Sequence, residues 1–136
     1  MTRTEAREQA FILVFEKIFH SDETIHEIIE NAEAGRELQV DEFAKKAAVS
    51  IAEKQTELDI LIEKYSQKWK ISRLSKVNLA LLRLAVYEMA FDDSIPVSVS
   101  INEAVELCKK YGGEDDYTYL NGVLGSYAKD LEAAKK

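Results

Sequence analysis

The sequence has very few residues that interrupt helices or cross-link the chain. Its 136 residues include one proline, five glycines and one cysteine. Scarce breakers favour long helices. The single cysteine, Cys108, has no partner for an internal disulfide, which is typical of a reducing cytoplasm. There is no apolar run of the roughly 18 residues that a membrane span needs, and the N-terminus does not resemble a signal peptide. We therefore expect a cytoplasmic protein without a membrane partner.

The chain also lacks the excess of basic residues that marks proteins binding nucleic acid through bulk charge. Its formal net charge is −7 and its pI is near 4.9. Acidic residues are concentrated in residues 21–42, which have a net charge of −7, whereas residues 43–90 have a net charge of +4. Any contact with a polyanion should therefore be local rather than spread over the surface.

Apolar residues recur at intervals of three and four along most of the chain, which predicts an all-α fold of seven helices in a single domain, residues 1–136. The helix over residues 77–91 is almost wholly apolar and should be central. Thr56 with Asp59, and Ser100 with Glu103, resemble capping boxes. The expected starts are near Thr4, at Asp22 or Thr24, at Asp41, Thr56, Ser75 and Ser100, and at Asp115 or Asp116.

The dipeptide Asn121-Gly122 is a strong hairpin signal, but it lies in a segment with helical apolar spacing. A turn there would place Leu120 and Val123 on unrelated faces, so we expect both residues inside the last helix. A glycine in a helix interior costs about 1 kcal/mol relative to alanine. We attribute its presence to a close approach by another backbone, which a missing Cβ permits.

Residue types for catalysis are hard to assemble into a site. Glu23 and His26 match half of a di-iron motif, but His20, the other histidine, has no acid three residues before it. Cys108 falls on the inner stripe of its helix, where a buried inert thiol is more common than a nucleophile. There is no glycine-rich phosphate loop. We expect no enzyme activity, no metal and no other cofactor.

Residues 64–76 contain five basic residues and no acidic one, interleaved with Tyr65 and Trp69. Cations that alternate with aromatic rings suit single-stranded RNA more than duplex DNA. The alternative is a solvated helix face with both rings turned inward. Spacing alone does not decide between the two, and Arg3 and Arg7 form a second weak basic site on the first helix.

Read together, several segments resemble the NusB family of transcription antitermination factors, and they cover nearly the whole chain. The matching segments are AREQAFILVFE (6–16), the run from Trp69 through LLRLAVYEM (81–89), IPVSVSINEAVELCKKYG (95–112) and YLNGVLG (119–125). The resemblance implies seven helices in two small packed bundles. It also implies binding of the boxA element of nascent, single-stranded RNA together with the small-subunit ribosomal protein that acts as NusE. That complex would join RNA polymerase indirectly and suppress premature termination on ribosomal RNA operons.

The resemblance also suggests site residues. Arg3 and Arg7 match the family's basic start, whereas Tyr111, Asp115 and Tyr119 match an aromatic, an acid and an aromatic near the last two helices. Tyrosines at helix ends can stack on unpaired bases, and carboxylates can accept hydrogen bonds from base amino groups. The predicted RNA-contacting residues are Arg3, Thr4, Arg7, Trp69, Arg73, Tyr111, Asp115 and Tyr119. For Tyr119 the alternative is that its ring fills a gap above Gly122.

The sequence departs from the family pattern at two places. Where relatives have consecutive arginines this chain has Arg3-Thr4-Glu5, so we expect weaker and less salt-sensitive RNA binding by the isolated protein. Asn78 replaces a frequent acid near the surface for the protein partner. We predict Asn78, Arg83 and Glu88 as partner-binding residues; for Arg83 and Glu88, internal ion pairing is the alternative.

Two other function classes stay open at this point. One is a NusB-like interaction module of a ribosomal-RNA methyltransferase system, which predicts an adjoining domain with a cofactor loop. The other is a self-associating helical adaptor, a homodimer whose RNA surface would be covered.

Overall fold

The computed structural model describes residues 1–36, 39–66 and 70–134, and all regular structure within them is helical. This confirms the all-α prediction. In the described residues there are seven α-helices and one 3₁₀ turn, Ile71–Arg73. The helices are α1 (Arg3–Phe19), α2 (Ile25–Arg36), α3 (Glu42–Glu53), α4 (Gln55–Tyr65), α5 (Lys76–Phe91), α6 (Val97–Tyr111) and α7 (Glu114–Ala134). None of these described helices is both long enough and apolar enough to cross a membrane.

The chain divides into two compact units, Met1–Gln55 and Thr56–Lys136. The expectation of a single 136-residue domain stays a prediction. In the first unit α1 packs mainly on α3, and α2 contacts both. Buried alanines contribute to both of the main faces, and small side chains let helix backbones approach closely. These alanines are Ala6 and Ala10 on α1 and Ala44, Ala47 and Ala48 on α3.

Side-chain caps fix the starts of the first three helices. Thr2 and Glu5 form a reciprocal capping box at α1, with hydrogen bonds of 3.1 and 3.0 Å. Thr24 and Glu27 do the same at α2, which selects Thr24 over Asp22. Asp41 accepts the backbone N–H of Phe43 at 2.8 Å, as its predicted capping role requires.

The second unit is built around α5, which contacts both α6 and α7. Every residue of α5 from Asn78 to Met89 is buried, which confirms that this helix is central. Ser75 caps it by accepting the N–H of Asn78 at 3.1 Å. Gly112 ends α6, and its N–H donates to the carbonyl of Cys108 at 2.7 Å.

The start predicted for the sixth helix is wrong. The helix begins at Val97 with Pro96 at the N-cap, because proline's fixed φ suits a helix start and its missing N–H costs nothing there. Ser100 therefore lies one turn inside the helix. It is 1% exposed, and its hydroxyl donates to Glu88 Oε1 at 2.9 Å instead of capping.

Two other predicted caps are also wrong. Helix α4 begins at Gln55, before Thr56, and Asp59 accepts two hydrogen bonds from Arg83 instead of completing a capping box. Helix α7 begins at Glu114, before both acids proposed as its cap. The carboxylate of Asp116 nevertheless accepts the N–H of Gly113 at 2.9 Å, so it still stabilises that helix end from inside the first turn.

Asn121 and Gly122 lie inside α7, so the helical interpretation is confirmed. The reason we gave for the glycine is wrong. A Cβ at Gly122 would have no neighbouring atom within 4 Å in the described part of the chain, so no other described backbone comes close. The tight contact is at Gly112, where a Cβ would lie 3.0 Å from both Asp116 Oδ2 and the carbonyl oxygen of Cys108.

Candidate nucleic-acid interface

The two arginines at the start of α1 both lie against Phe43 in the first unit. The guanidinium carbon of Arg3 is 4.1 Å from the centre of the Phe43 ring, and that of Arg7 is 5.6 Å away. Arg3 and Thr4 are exposed, so the Arg3 charge is available to a phosphate. Arg7 is only 2% exposed. Arg7 was predicted to contact RNA, but its side chain packs inside the unit and leaves almost no surface for a nucleotide.

In the second unit a pocket of about 200 Å³ lies between the 3₁₀ turn, the start of α5 and the start of α7. It brings together three of the predicted RNA-contacting residues: Arg73 from the 3₁₀ turn, and Asp115 and Tyr119 from α7, which is distant from it in sequence. Arg73 and Asp115 are exposed, and Tyr119 is half-buried. The full lining is Arg73, Leu74, Ser75, Asn78, Asp115, Asp116 and Tyr119.

Tyr119 turns its hydroxyl away from solvent. The hydroxyl forms a hydrogen bond with the hydroxyl of the buried Ser66, and burial raises the pKa of Tyr119 above its usual value. Because the space beside Gly122 is open, the alternative that this ring fills a gap there is wrong. The anchored ring instead lines the pocket, where a base could stack on it.

Tyr111, at the end of α6, presents its ring to solvent with a cation beside it. It is 40% exposed, and Lys110 Nζ lies 5.4 Å from its ring centre. A ring next to an ammonium group offers both stacking and phosphate neutralisation. Our sequence interpretation missed Lys110, and it also missed Ser75 and Asp116 as pocket residues. The adjacent pair Lys109-Lys110 just before Tyr111 was the available signal.

The basic run, residues 64–76, extends from the end of α4 to the start of α5 and is only partly described. Lys64, Lys70 and Arg73 are exposed, whereas Lys68 and Trp69 lie outside the described residues. Tyr65 is half-buried, which leaves the choice between the two interpretations of this run open. Its ring packs 5.1 Å from that of Tyr127, and its hydroxyl donates to Asp130 at 2.7 Å, which raises its pKa to about 12.

Two predicted partner-binding residues have partners inside the second unit. Arg83 donates from Nε and Nη2 to the two oxygens of Asp59, at 2.9 Å each, so the internal ion pair is confirmed. Glu88 is 1% exposed and accepts the Ser100 hydroxyl. Their burial leaves almost no surface of either side chain for another protein.

Asn78, the third predicted partner-binding residue, is 4% exposed. Its Oδ1 lies 3.5 Å from the thiol of Cys108, and its Nδ2 donates to Asp116 Oδ1 at 3.4 Å. Cys108 is fully buried, and burial raises the pKa of its thiol to about 11. A thiol that stays protonated at neutral pH is a poor nucleophile, in agreement with the prediction for this cysteine.

A larger groove, of about 440 Å³, runs between α6 and α7. Its charged lining residues, Glu106 and Lys109, lie 3.5 Å apart and form an exposed ion pair. The sequence did not indicate this groove. The lining is Asn102, Val105, Glu106, Lys109, Tyr117, Thr118 and Asn121. Elsewhere in the described residues, no cluster of three or more histidine, cysteine or acidic side chains could hold a metal ion.

Comparison with known proteins gives a consistent result. The NusB family model matches residues 4–129. A transcription antitermination protein NusB from Agathobacter rectalis is 43% identical over 131 residues, which cover 94% of this chain and 100% of that protein.

Solved structures agree with the sequence matches. A NusB structure from T. maritima has a TM-score of 0.82 and 36% identity, with 95% of this chain and 92% of that chain covered. A second is the crystal structure of antitermination factors NusB and NusE in complex with dsRNA. Its matching chain has a TM-score of 0.83 and 29% identity, with 96% of this chain and 99% of that chain covered.

Proposed function

The chain belongs to the NusB family, and from this we propose that it is a transcription antitermination factor. It binds the boxA element of nascent RNA together with the small-subunit ribosomal protein that acts as NusE. Through that partner it reaches RNA polymerase and favours complete transcription of ribosomal RNA operons. It acts in the cytoplasm as an adaptor, by binding rather than by catalysis.

The observation that carries this proposal is the grouping of Arg73, Asp115 and Tyr119 around one pocket. An exposed guanidinium can pair with a phosphate, and an anchored tyrosine ring can stack on a base. A carboxylate accepts hydrogen bonds from base amino groups and repels keto oxygens. These three groups together suit an unpaired nucleotide. In a duplex, base pairing covers the hydrogen-bonding edge of each base and stacking covers its ring face.

The charge distribution explains why a second protein is needed. The whole chain has a net charge of −7, and in the described α1 start only Arg3 exposes its guanidinium. Few cations at the start of α1 mean few counterions released there, so binding by the isolated protein should be weaker and should depend less on salt than in relatives with consecutive arginines. A ribosomal protein that binds both this chain and the same RNA would supply the missing affinity, because each contact makes the next one intramolecular.

Binding measurements with a boxA oligonucleotide test the proposal. Affinity is measured with and without the ribosomal partner, against a scrambled oligonucleotide and a duplex of the same sequence, over a series of salt concentrations. We expect the partner to tighten binding of the boxA strand selectively. Equal binding of the scrambled strand, or no effect of the partner, would contradict the proposal.

A matched pair of variants locates the surface. Tyr111→Ala removes an exposed ring beside Lys110, and we expect affinity to fall about 5- to 150-fold, the equivalent of one stacked base. Phe19→Ala removes a ring that is also exposed (57%) at the end of α1, and it should leave RNA affinity unchanged. Equal effects of the two substitutions would mean that Tyr111 has no special role.

A further inference from the structure

The side chain of Asn78 connects three helices and is almost wholly buried. It lies in the first turn of α5, and its amide contacts Cys108 near the end of α6 and Asp116 in the first turn of α7. One end of the amide accepts and the other donates. Only a carboxamide offers both functions at that size. The side chain is 4% exposed, so its role is internal.

Asp116 is held from two sides. Its Oδ1 accepts from Asn78, whereas its Oδ2 accepts the N–H of Gly113 at 2.9 Å. Gly112 makes room for it, since a Cβ there would lie 3.0 Å from Oδ2. The carboxylate therefore has one position in which both bonds form. Held there, the carboxylate stabilises the first turn of α7.

The first two turns of α7 also carry two RNA-contacting candidates. Asp115 precedes Asp116 directly, and Tyr119 follows it by three residues on the same helix. Asn78, Asp115, Asp116 and Tyr119 all line the 200 Å³ pocket. A shift of the first turn would move the Asp115 carboxylate and the Tyr119 ring together. Binding groups that are displaced even slightly lose much of their contribution to affinity.

We propose that Asn78 is a positioning residue, which acts through Asp116 to set the first turn of α7 and so to orient Asp115 and Tyr119 towards RNA. The inference rests on the proposed function. It replaces direct partner contact as the role of Asn78, and it makes the affinity for RNA depend on an amide whose oxygen and nitrogen are both engaged inside the protein.

A reciprocal exchange of side chains tests this. Asn78→Asp removes the donor and places a carboxylate against that of Asp116, whereas Asp116→Asn places an amide donor against that of Asn78. In the double variant Asn78→Asp/Asp116→Asn the amide at position 116 donates to the carboxylate at position 78. Its oxygen can still accept from Gly113. The hydrogen bond returns with its direction reversed.

We expect each single substitution to weaken boxA binding in the presence of the ribosomal partner by about 5- to 10-fold, the effect of one lost internal hydrogen bond. The double variant should recover to within about threefold of the unmodified chain. The amide resonance of Gly113 in proton–nitrogen NMR spectra reports on the turn itself. It should move in both single variants and return in the double one. Affinity for the ribosomal partner without RNA should not change.

Asn102→Asp is the control, because it makes the same chemical change at an exposed residue in the other groove, and it should bind RNA normally. If Asn78→Asp does not fold, Asp116→Asn and the double variant decide the question. No boxA binding by the unmodified chain with its partner would overturn the proposed function. Normal binding by the unmodified chain, combined with unaffected single variants or no recovery in the double variant, would overturn this inference alone. Loss of partner affinity without RNA would also overturn it, in favour of direct contact.

Discussion

The guanidinium of Arg83 on α5 is bound at both oxygens by the carboxylate of Asp59 on α4, with two nitrogen–oxygen distances of 2.9 Å. The side chain of Arg83 is 8% exposed and that of Asp59 is 23% exposed. A two-point pair of this kind has a single geometry. This ion pair connects α4 to α5, the central helix of the second unit, so Arg83 contributes to the fold rather than to a partner surface.

Loss of Asp59 should therefore destabilise the protein. Asp59→Ala leaves a nearly buried guanidinium without its counter-ion, and we expect the free energy of unfolding to fall by about 2–4 kcal/mol. Urea denaturation measures this. Glu106→Ala is the control, since it breaks the exposed pair with Lys109 and should cost at most about 0.5 kcal/mol. Similar losses in the two variants would show that the Asp59–Arg83 pair contributes no more to the free energy of unfolding than an exposed pair does.

The two arginines of α1 should respond differently to substitution. Arg7→Ala removes a side chain that is 2% exposed, and we expect it to reduce the free energy of unfolding by about 1–3 kcal/mol through lost packing. Arg3→Ala should cost less than about 1 kcal/mol, because its contact with Phe43 is at an exposed site, but it should weaken RNA binding. Thermal unfolding and RNA titration of both variants separate these effects. An unchanged unfolding temperature for Arg7→Ala would contradict the structural role.

Two glycines should give opposite results on substitution by alanine. At Gly122 a Cβ meets no atom within 4 Å, so Gly122→Ala should stabilise α7 by up to about 1 kcal/mol through helix propensity. At Gly112 the new Cβ would lie 3.0 Å from a backbone carbonyl and from Asp116. Gly112→Ala should therefore lower stability and RNA affinity together. Chemical denaturation of both variants is the measurement, and a destabilised Gly122→Ala would restore the close-approach explanation rejected above.

Cys108 should resist alkylation in the folded protein. Its thiol has a pKa raised by burial from 9.0 to about 11, so at about pH 8 it forms about 100-fold less thiolate than in an unfolded chain. Mass spectrometry after iodoacetamide treatment, with and without urea, measures the difference. Since the unfolded chain ionises this thiol first, stability should fall as pH rises from 9.0 to about 11. Cys108→Ala should lose that part of the pH dependence, and rapid alkylation of the native protein would contradict the account.

The sequence predicted the helices well because apolar spacing is a local property that burial enforces along the whole chain. It predicted Asn121 and Gly122 inside α7 for that reason. It failed where two local rules compete. Proline and serine are both favoured at helix N-termini, so Pro96 and Ser100 compete as the start of α6. Ser100 lies inside the helix, where its hydroxyl donates to Glu88 on another helix.

The candidate site was predictable only in part. Tyr111, Asp115 and Tyr119 were identified from the family resemblance, and the structure adds that Asp115 and Tyr119 share a pocket with Arg73. Burial of Arg7 and the internal bonds of Asn78 were not predictable, and for Arg83 and Glu88 the sequence allowed internal pairing without indicating the partners Asp59 and Ser100. Each depends on a side chain distant in sequence, and no spacing rule reports such contacts.

The account as a whole is tested most directly by mapping where bound RNA lies. Ultraviolet crosslinking of a boxA oligonucleotide to the complex of this chain with its ribosomal partner, followed by mass spectrometry, identifies the contacted peptides. We predict crosslinks at Arg73 and in the segment from Tyr111 to Tyr119. Crosslinks confined to the acidic helix α2 would contradict the account.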